Sequence, residues 1–277
     1  MLIIPLPSGC RGEKGGNHGA SSSSGVKTTT EEGEHHLAKK PLKLLTEEKS
    51  RALLLQEGIE QAEQRSLNYK HRLNASQFLP KPTLTKPKNE RALSLEEATK
   101  DLKGNGPIKV VIQTSRGDIL CQIDPSKPET TEAAAHFVTL ARGQKSWWNR
   151  RVSSWAKQPF FDDTVIYKIF NRKGFYGGFP PEAGDSQLAI PSLMTTAPTK
   201  KIPAYTLGML FQKGTKLLDT NFVVTAEHNT FLDAPFFPIA ECAESGSLID
   251  ALVNSSTTGD GIPIEEIRVS KISFSRQ

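Results

Sequence analysis

All three tryptophans of the chain fall within one short stretch, Gln144-Lys145-Ser146-Trp147-Trp148-Asn149-Arg150-Arg151-Val152-Ser153-Ser154-Trp155-Ala156-Lys157. Tryptophan and arginine are the side chains that most often anchor interfaces, because each buries a large area and arginine also pairs with carboxylates, phosphates and aromatic faces. Trp147, Trp148, Arg150, Arg151 and Trp155 are therefore candidate partner-binding residues. Two other readings stay open: a local mini-core folded back over the domain, since tryptophan is mostly buried, and stacking on RNA bases with the arginines on phosphate.

Other chemistry-bearing residues carry less. His35-His36 is an adjacent pair in a tail, short of the three or four ligands that a metal needs, so no metal centre and no cofactor are expected. Cys10, Cys121 and Cys242 show no short spacing; neither a disulfide framework nor a zinc knuckle follows, and a reducing compartment is the simplest expectation. Asn74-Ala75-Ser76 and Asn254-Ser255-Ser256 fit the glycosylation pattern, but without a secretory signal they read as chance matches.

Composition bounds the rest. Hydrophobic residues make up 36% of the 277, and a mean hydropathy of -0.40 implies that part of the chain builds no core. The net charge of +5 is concentrated before Gly106, where 17 basic residues face 13 acidic ones. That excess permits an RNA or acidic partner without arguing for one. No apolar run approaches the ~18 residues of a membrane span, and Met1-Leu2-Ile3-Ile4-Pro5-Leu6-Pro7 lacks the basic region of a signal peptide. The expected location is intracellular, cytoplasm or mitochondrion or another organelle, and not secreted.

Three regions follow from the pattern. Residues 1–36 are rich in Gly, Ser and Thr and are expected to be disordered. Residues 37–107 form an arm: a helix over about 46–73, capped by Thr46 with Ala52, Leu55, Ile59 and Ala62 on one stripe; a proline-spaced linker over 79–90; and a short helix over 95–103 opened by a Ser94-Leu95-Glu96-Glu97 capping box. The narrow stripe means that the first helix must lie on the domain or on another protein. From Ile108 the period changes to two. Val110, Ile112, Thr114 and then Ile119, Cys121, Ile123 alternate around Ser115-Arg116-Gly117-Asp118, a hairpin. Thr130 to Arg142 reads as a helix stopped by Gly143, short strands follow, and Ser247 to Val253 reads as a second helix. Many short strands with two isolated helices fit a closed antiparallel barrel, the shape that leaves no sheet edge exposed.

The order of motifs carries a family resemblance over residues 108–277. Val110 to Asp124, the helix to Gly143, Phe161-Asp162-Asp163-Thr164-Val165-Ile166-Tyr167-Lys168-Ile169, Gly177-Gly178, Leu207-Gly208-Met209, Asn221-Phe222-Val223-Val224-Thr225 and Phe231-Leu232-Asp233 succeed one another as in a cyclophilin-type peptidyl-prolyl isomerase domain. The resemblance implies a mainly β fold, an eight-stranded closed antiparallel barrel capped by two helices, with a proline-binding groove on its outer face. It also implies rotation about X-Pro bonds, whose barrier of ~18–20 kcal/mol comes from amide resonance. An arginine fork aimed at the prolyl nitrogen and a glutamine on the carbonyl supply electrostatic preorganisation in that family.

Those positions are rewritten here. The His-Arg pair reads Tyr167-Lys168; lysine keeps the charge and loses the planar fork. Lys173 and Gly174 stand where the apolar pocket walls should be, Tyr176 replaces the glutamine, and Thr220-Asn221-Phe222-Val223 replaces the strand that lines the pocket. Phe231 falls on one further groove position, and Phe236 or Phe237 on another. The implied site is thus Lys168 and Asn221 as degenerate catalytic equivalents, with Lys173, Tyr176, Phe222, Val223, Phe231 and Phe236 as groove residues. A charged Lys173 on the pocket floor would cost several kcal/mol unless it reached water. The expected function is a cyclophilin-like domain, catalytically impaired, serving as a structural or protein-binding subunit of a larger assembly. The alternatives are a slow but genuine isomerase acting on proline-containing peptides and an RNA-associated assembly factor.

Overall fold

The computed structural model describes residues 42–77, 87, 90–149, 154–178, 188, 192, 202–212, 215–228 and 235–276, with side chains of the first segment described over 47–65. The chain divides into units 1–45 and 46–277, and of the first only 42–45 are described, as the opening turn of a helix. The tail over 1–36 and most of the proline-spaced linker lie outside the described residues.

Helix α1 spans Leu42–Gln77, longer at both ends than the expected 46–73. Leu42-Lys43-Leu44-Leu45 are strong helix formers, so Thr46 falls inside the helix rather than at its start. Ala62 is fully buried. A Cβ on Gly58 would meet Ile264 Cγ2 at 2.6 Å, and Arg65 Nη2 donates to the carbonyls of Pro263 at 3.2 Å and Ile264 at 2.6 Å. The second half of the expected stripe, Ile59 and Ala62, therefore docks on the loop before the last strand, while its first half, Ala52 and Leu55, is exposed together with Leu53 and Leu54.

Helix α2, Leu95–Thr99, has the expected capping box: Glu97 N–H donates to Ser94 Oγ and Ser94 N–H to the Glu97 carboxylate. It stops at Thr99, short of the expected 103. The segment is part of the packed body. Arg142 donates to the Ala98 carbonyl and forks onto Asp101 at 2.9 and 2.6 Å, Gln144 Nε2 reaches the same carbonyl at 3.1 Å, and Arg276 Nη2 donates to Thr99 Oγ1 at 2.7 Å.

The barrel is built from β1 (Ile108–Thr114), β2 (Gly117–Ile123), β5 (Thr164–Phe170), β6 (Gly174–Gly177), β7 (Thr206–Phe211), β8 (Leu218–Thr225), β9 (Phe236–Glu241) and β10 (Ile267–Arg276). They close in the order β1-β10-β5-β6-β8-β7-β9-β2, every neighbour antiparallel. This is the eight-stranded closed barrel that the motif order implied. Alternation sends Val110, Ile112, Ile119, Ile123, Phe175, Leu207, Met209, Phe222, Val224 and Ile272 into one continuous core. Helices α3 (Pro128–Ala141) and α4 (Gly246–Val253) add Phe137, Leu140, Ile249 and Leu252 to it.

The cysteines correct the sequence reading. Cys121 on β2 and Cys242, just after β9, form a disulfide across 121 residues of chain, with Cα atoms 3.9 Å apart. Spacing could not show this, because barrel closure is what makes β2 and β9 neighbours. Their strands share one register pair, Gln122↔Glu241, and the disulfide sits directly beside it.

The tryptophan-rich insertion forms its own hairpin, β3 (Trp147–Asn149) with β4 (Ser154–Ala156), pairing Trp148 with Trp155. Trp147 belongs to the barrel core; its ring meets Phe160 edge-on at 5.1 Å and its Nε1 donates to the Gln158 carbonyl at 3.2 Å. The turn that launches the insertion requires glycine: Gly143 has φ +63°, and a Cβ there would lie 2.5 Å from the Gln158 backbone.

Candidate functional site on the outer face of the barrel

Five adjacent strands put one residue each on a line across the outer face. Lys168 pairs with Tyr176, Tyr176 with Val223, Val223 with Gly208, and Gly208 with Pro238. A register shift between Ile166 and Lys168 makes β5 unusual. Ile166 and Ile169 both point into the core, so the two residues between them, Tyr167 and Lys168, are both left to the outside.

What occupies this face is apolar. Tyr176, Leu210, Val223 and Phe236 form a second buried cluster separate from the core, with Tyr167, Phe170 and Ile202 packed on it. The Tyr176 ring lies 4.8 Å from Phe170, edge-on, and 6.1 Å from Tyr167. Lys168 Nζ lies over the Phe170 ring at 4.8 Å from its centroid, so cation–π attraction draws the ammonium onto the cluster. Ile202 comes from the segment leading into β7, so the chain itself covers part of the face.

Gly208 makes room for this packing: a Cβ there would meet Phe236 Cδ2 at 2.6 Å and the Phe237 carbonyl at 2.7 Å. Gly208→Ala is expected to lower stability by about 1–3 kcal/mol, the range for overpacking. Denaturant unfolding of the variant checks this, and a loss under about 0.5 kcal/mol would show that Phe236 is not held as described.

Several candidate residues sit elsewhere than the resemblance implied. Lys173 lies in the β5–β6 turn with its side chain in water, so no ammonium is buried and the expected penalty does not arise. Phe222 points inward, 5.6 Å from Phe161 and 6.4 Å from Phe137, and is a core residue. Asn221 and Val223 flank it on the outside. Asn221 is buried, its Nδ2 donates to Asp219 Oδ2 at 3.1 Å, and its Oδ1 has no hydrogen-bond partner among the described residues. Lys168 and Asn221 thus share the face with β6 between their strands. Phe231, Arg150 and Arg151 lie outside the described residues. Trp147 and Trp148 are buried, and Trp155 remains partly exposed with its ring 5.6 Å from Trp148.

A second constellation escaped the sequence reading altogether. His136 of α3, Lys145 just past that helix, and Ser192 meet at the end of the barrel. Ser192 Oγ lies 2.9 Å from His136 Nδ1 and 3.1 Å from Lys145 Nζ, and Nζ lies 2.9 Å from Nδ1. His136 Nε2 is 2.9 Å from the Asp219 carbonyl oxygen, which can only accept, so the ring carries its proton on Nε2 and Nδ1 is an acceptor. Burial, helped by the charge of Lys145, pushes His136 down to about 3. Burial also lowers Lys145 to about 8, against the attraction of Glu90 and Glu132. His136 lies on a helical face that reads as core, and Ser192 is distant in sequence from both His136 and Lys145; a histidine among Ala133, Phe137 and Leu140 was the one available signal.

Among solved structures, the chain is similar to a cyclophilin-type peptidyl-prolyl cis-trans isomerase of Cryptosporidium parvum, with TM-score 0.46 and 16% identity over 62% of this chain and 99% of that one. A structure of that isomerase in the presence of the dipeptide Ala-Pro matches with TM-score 0.46 and 18% identity over 61% of this chain and 99% of that one. No protein-family model and no curated protein matches the sequence.

Proposed function

We propose that this chain is a cyclophilin-like binding module whose outer barrel face contacts a partner protein, and that it acts as a structural or protein-binding subunit of a larger assembly rather than as an efficient prolyl isomerase. The observation that carries the reading is the occupied face. Tyr176, Leu210, Val223 and Phe236 pack on one another where an open cleft would have to receive a proline ring, and the one cation on the central line, Lys168, lies over Phe170. Catalysis of X-Pro rotation needs a charge preorganised on the twisted amide. An ammonium on a flexible stem has neither the fork nor the fixed direction for that.

A protease-coupled peptide assay tests the proposal. The rate acceleration is expected to be at least about tenfold below that of an active cyclophilin, and Lys168→Ala is expected to leave it unchanged. Acceleration within about tenfold of an active cyclophilin that disappears in Lys168→Ala would overturn the proposal in favour of the isomerase alternative, with Asn221 as the amide partner. Recovery of the tagged chain with its native associates identifies the assembly.

RNA binding by the insertion is the weaker reading, since burial of Trp147 and Trp148 leaves base stacking to Trp155. It predicts an affinity that falls steeply with salt and is lost in Arg150→Ala/Arg151→Ala. Of the expected locations, the Cys121–Cys242 pair favours an oxidising organelle over the cytoplasm.

A further inference from the structure

Ser192, His136 and Lys145 lie outside the outer-face cluster of Tyr176, Leu210, Val223 and Phe236, and the reading of that face makes no use of them. We propose that Ser192 is a nucleophile, with Lys145 as its general base, acting on activated acyl compounds such as esters. Three features point the same way. The hydroxyl is within hydrogen-bond reach of two nitrogens, Lys145 Nζ and His136 Nδ1, the nucleophile–base contact that activated serines share. The base is itself oriented: Nδ1 can only accept, so it holds Nζ at 2.9 Å, and the Asp219 carbonyl fixes the imidazole from the far side. Exposure is graded, with Lys145 and His136 buried at 6% and 2% and Ser192 half-buried, the least buried of the three.

Fastening the Ser192 segment to α3 and β8 does not require this chemistry. The Leu218 N–H already donates to the Ser192 carbonyl at 2.9 Å, and an apolar side chain in place of Lys145 would avoid the desolvation of an ammonium. A buried lysine brought near neutrality beside a hydroxyl has the arrangement of serine–lysine catalysis.

The step balances within these groups and water. Ser192 Oγ bonds to the acyl carbon while its proton passes to the neutral Lys145 amine. The C–O bond to the alcohol then breaks, and the ammonium returns the proton to the departing alkoxide. Water, deprotonated by the same amine, releases the acid and restores the serine. His136 is a positioning residue that sets the direction of Nζ.

The full chain treated with an alkyl fluorophosphonate tests the assignment: Oγ–P forms, P–F breaks, fluoride leaves and the proton goes to Lys145. One adduct is expected, mapped to Ser192 by peptide mass, forming about tenfold faster at pH 9 than at pH 7 as an amine titrating near 8 loses its proton. Ser192→Ala abolishes the adduct. Lys145→Met, if folded by circular dichroism, reduces the rate to that of the chain in 8 M urea. If that variant does not fold, the wild-type pH profile decides. No adduct at Ser192 in the folded protein, an equal rate in urea, or a rate without the rise between pH 7 and 9 overturns the proposal.

Discussion

Reduction of the Cys121–Cys242 disulfide, or its removal in Cys121→Ala/Cys242→Ala, is expected to lower the unfolding free energy by about 3–5 kcal/mol. The linkage closes a loop of 121 residues, and in the chain-entropy account such a long loop gives a large restriction of the unfolded state. The native side adds to it. β2 and β9 are joined by the single register pair Gln122↔Glu241, against seven pairs between β1 and β2, so this seam has the least ladder to hold it without the covalent link. Both cysteines are buried, at 3% and 1% exposure, so the folded protein should resist mild reductant and lose its disulfide only as it unfolds. Urea titrations with and without reductant, with a thiol count on the native chain, measure the effect. A free-thiol count of three, or a stability change under about 1 kcal/mol, would refute it.

The second large effect is on acid stability. His136 titrates near 3 in the folded chain and near 6.5 when unfolded. Its folded value is depressed, so below pH 6.5 the unfolded chain takes up a proton that the folded chain refuses. The stability that depends on a neutral imidazole is therefore complete above pH 6.5 and is lost as pH falls toward 3, at up to about 1.4 kcal/mol per pH unit. Lys145 acts in another window: its folded value near 8 lies below the usual lysine value, so its contribution is lost between about pH 10.5 and 8 and is constant below. Asp101 and Asp124 are lowered by hydrogen bonds from Arg142 and Ser126 and also weaken the fold in acid. Comparison with His136→Asn isolates the imidazole. That variant is expected to be about 1–3 kcal/mol less stable at pH 7, having lost the bond to the Asp219 carbonyl, and to show a shallower decline between pH 6 and 4. Parallel pH profiles for the two chains would sink the assignment.

The fold was legible where period and punctuation agree. Alternation over Val110–Ile123, the capping box at Ser94, the stop at Gly143 and the order of short strands led to a closed barrel, and those signals are local. The site was legible only as positions. Lys168, Tyr176, Val223 and Phe236 do share one face, but no spacing could say that a register shift at Ile166 would turn Tyr167 outward with Lys168, or that Phe222 would turn inward. One residue of slip exchanges the two faces of a strand, so a groove wall and a core residue are adjacent letters. Lys173 shows the same limit: its charge was evident, but its place in a turn, in water, depends on where the hairpin bends. What the sequence could not carry were contacts between distant segments, the Cys121–Cys242 pair and the meeting of His136, Lys145 and Ser192, which exist only once the cylinder has closed.

The position of β10 has a consequence for how the chain is made. It lies between β1 and β5, yet its residues, Ile267–Arg276, are translated long after Ile108–Thr114. At ~5–20 residues per second, a ribosome leaves one flank of the first strand without its neighbour for roughly 10–30 seconds. During that interval a row of amides and a stripe of Val110 and Ile112 are open to any passing strand. Aggregation yield in a coupled translation reaction should therefore fall when a holding chaperone is supplied before the codons of Ile267–Arg276 are read.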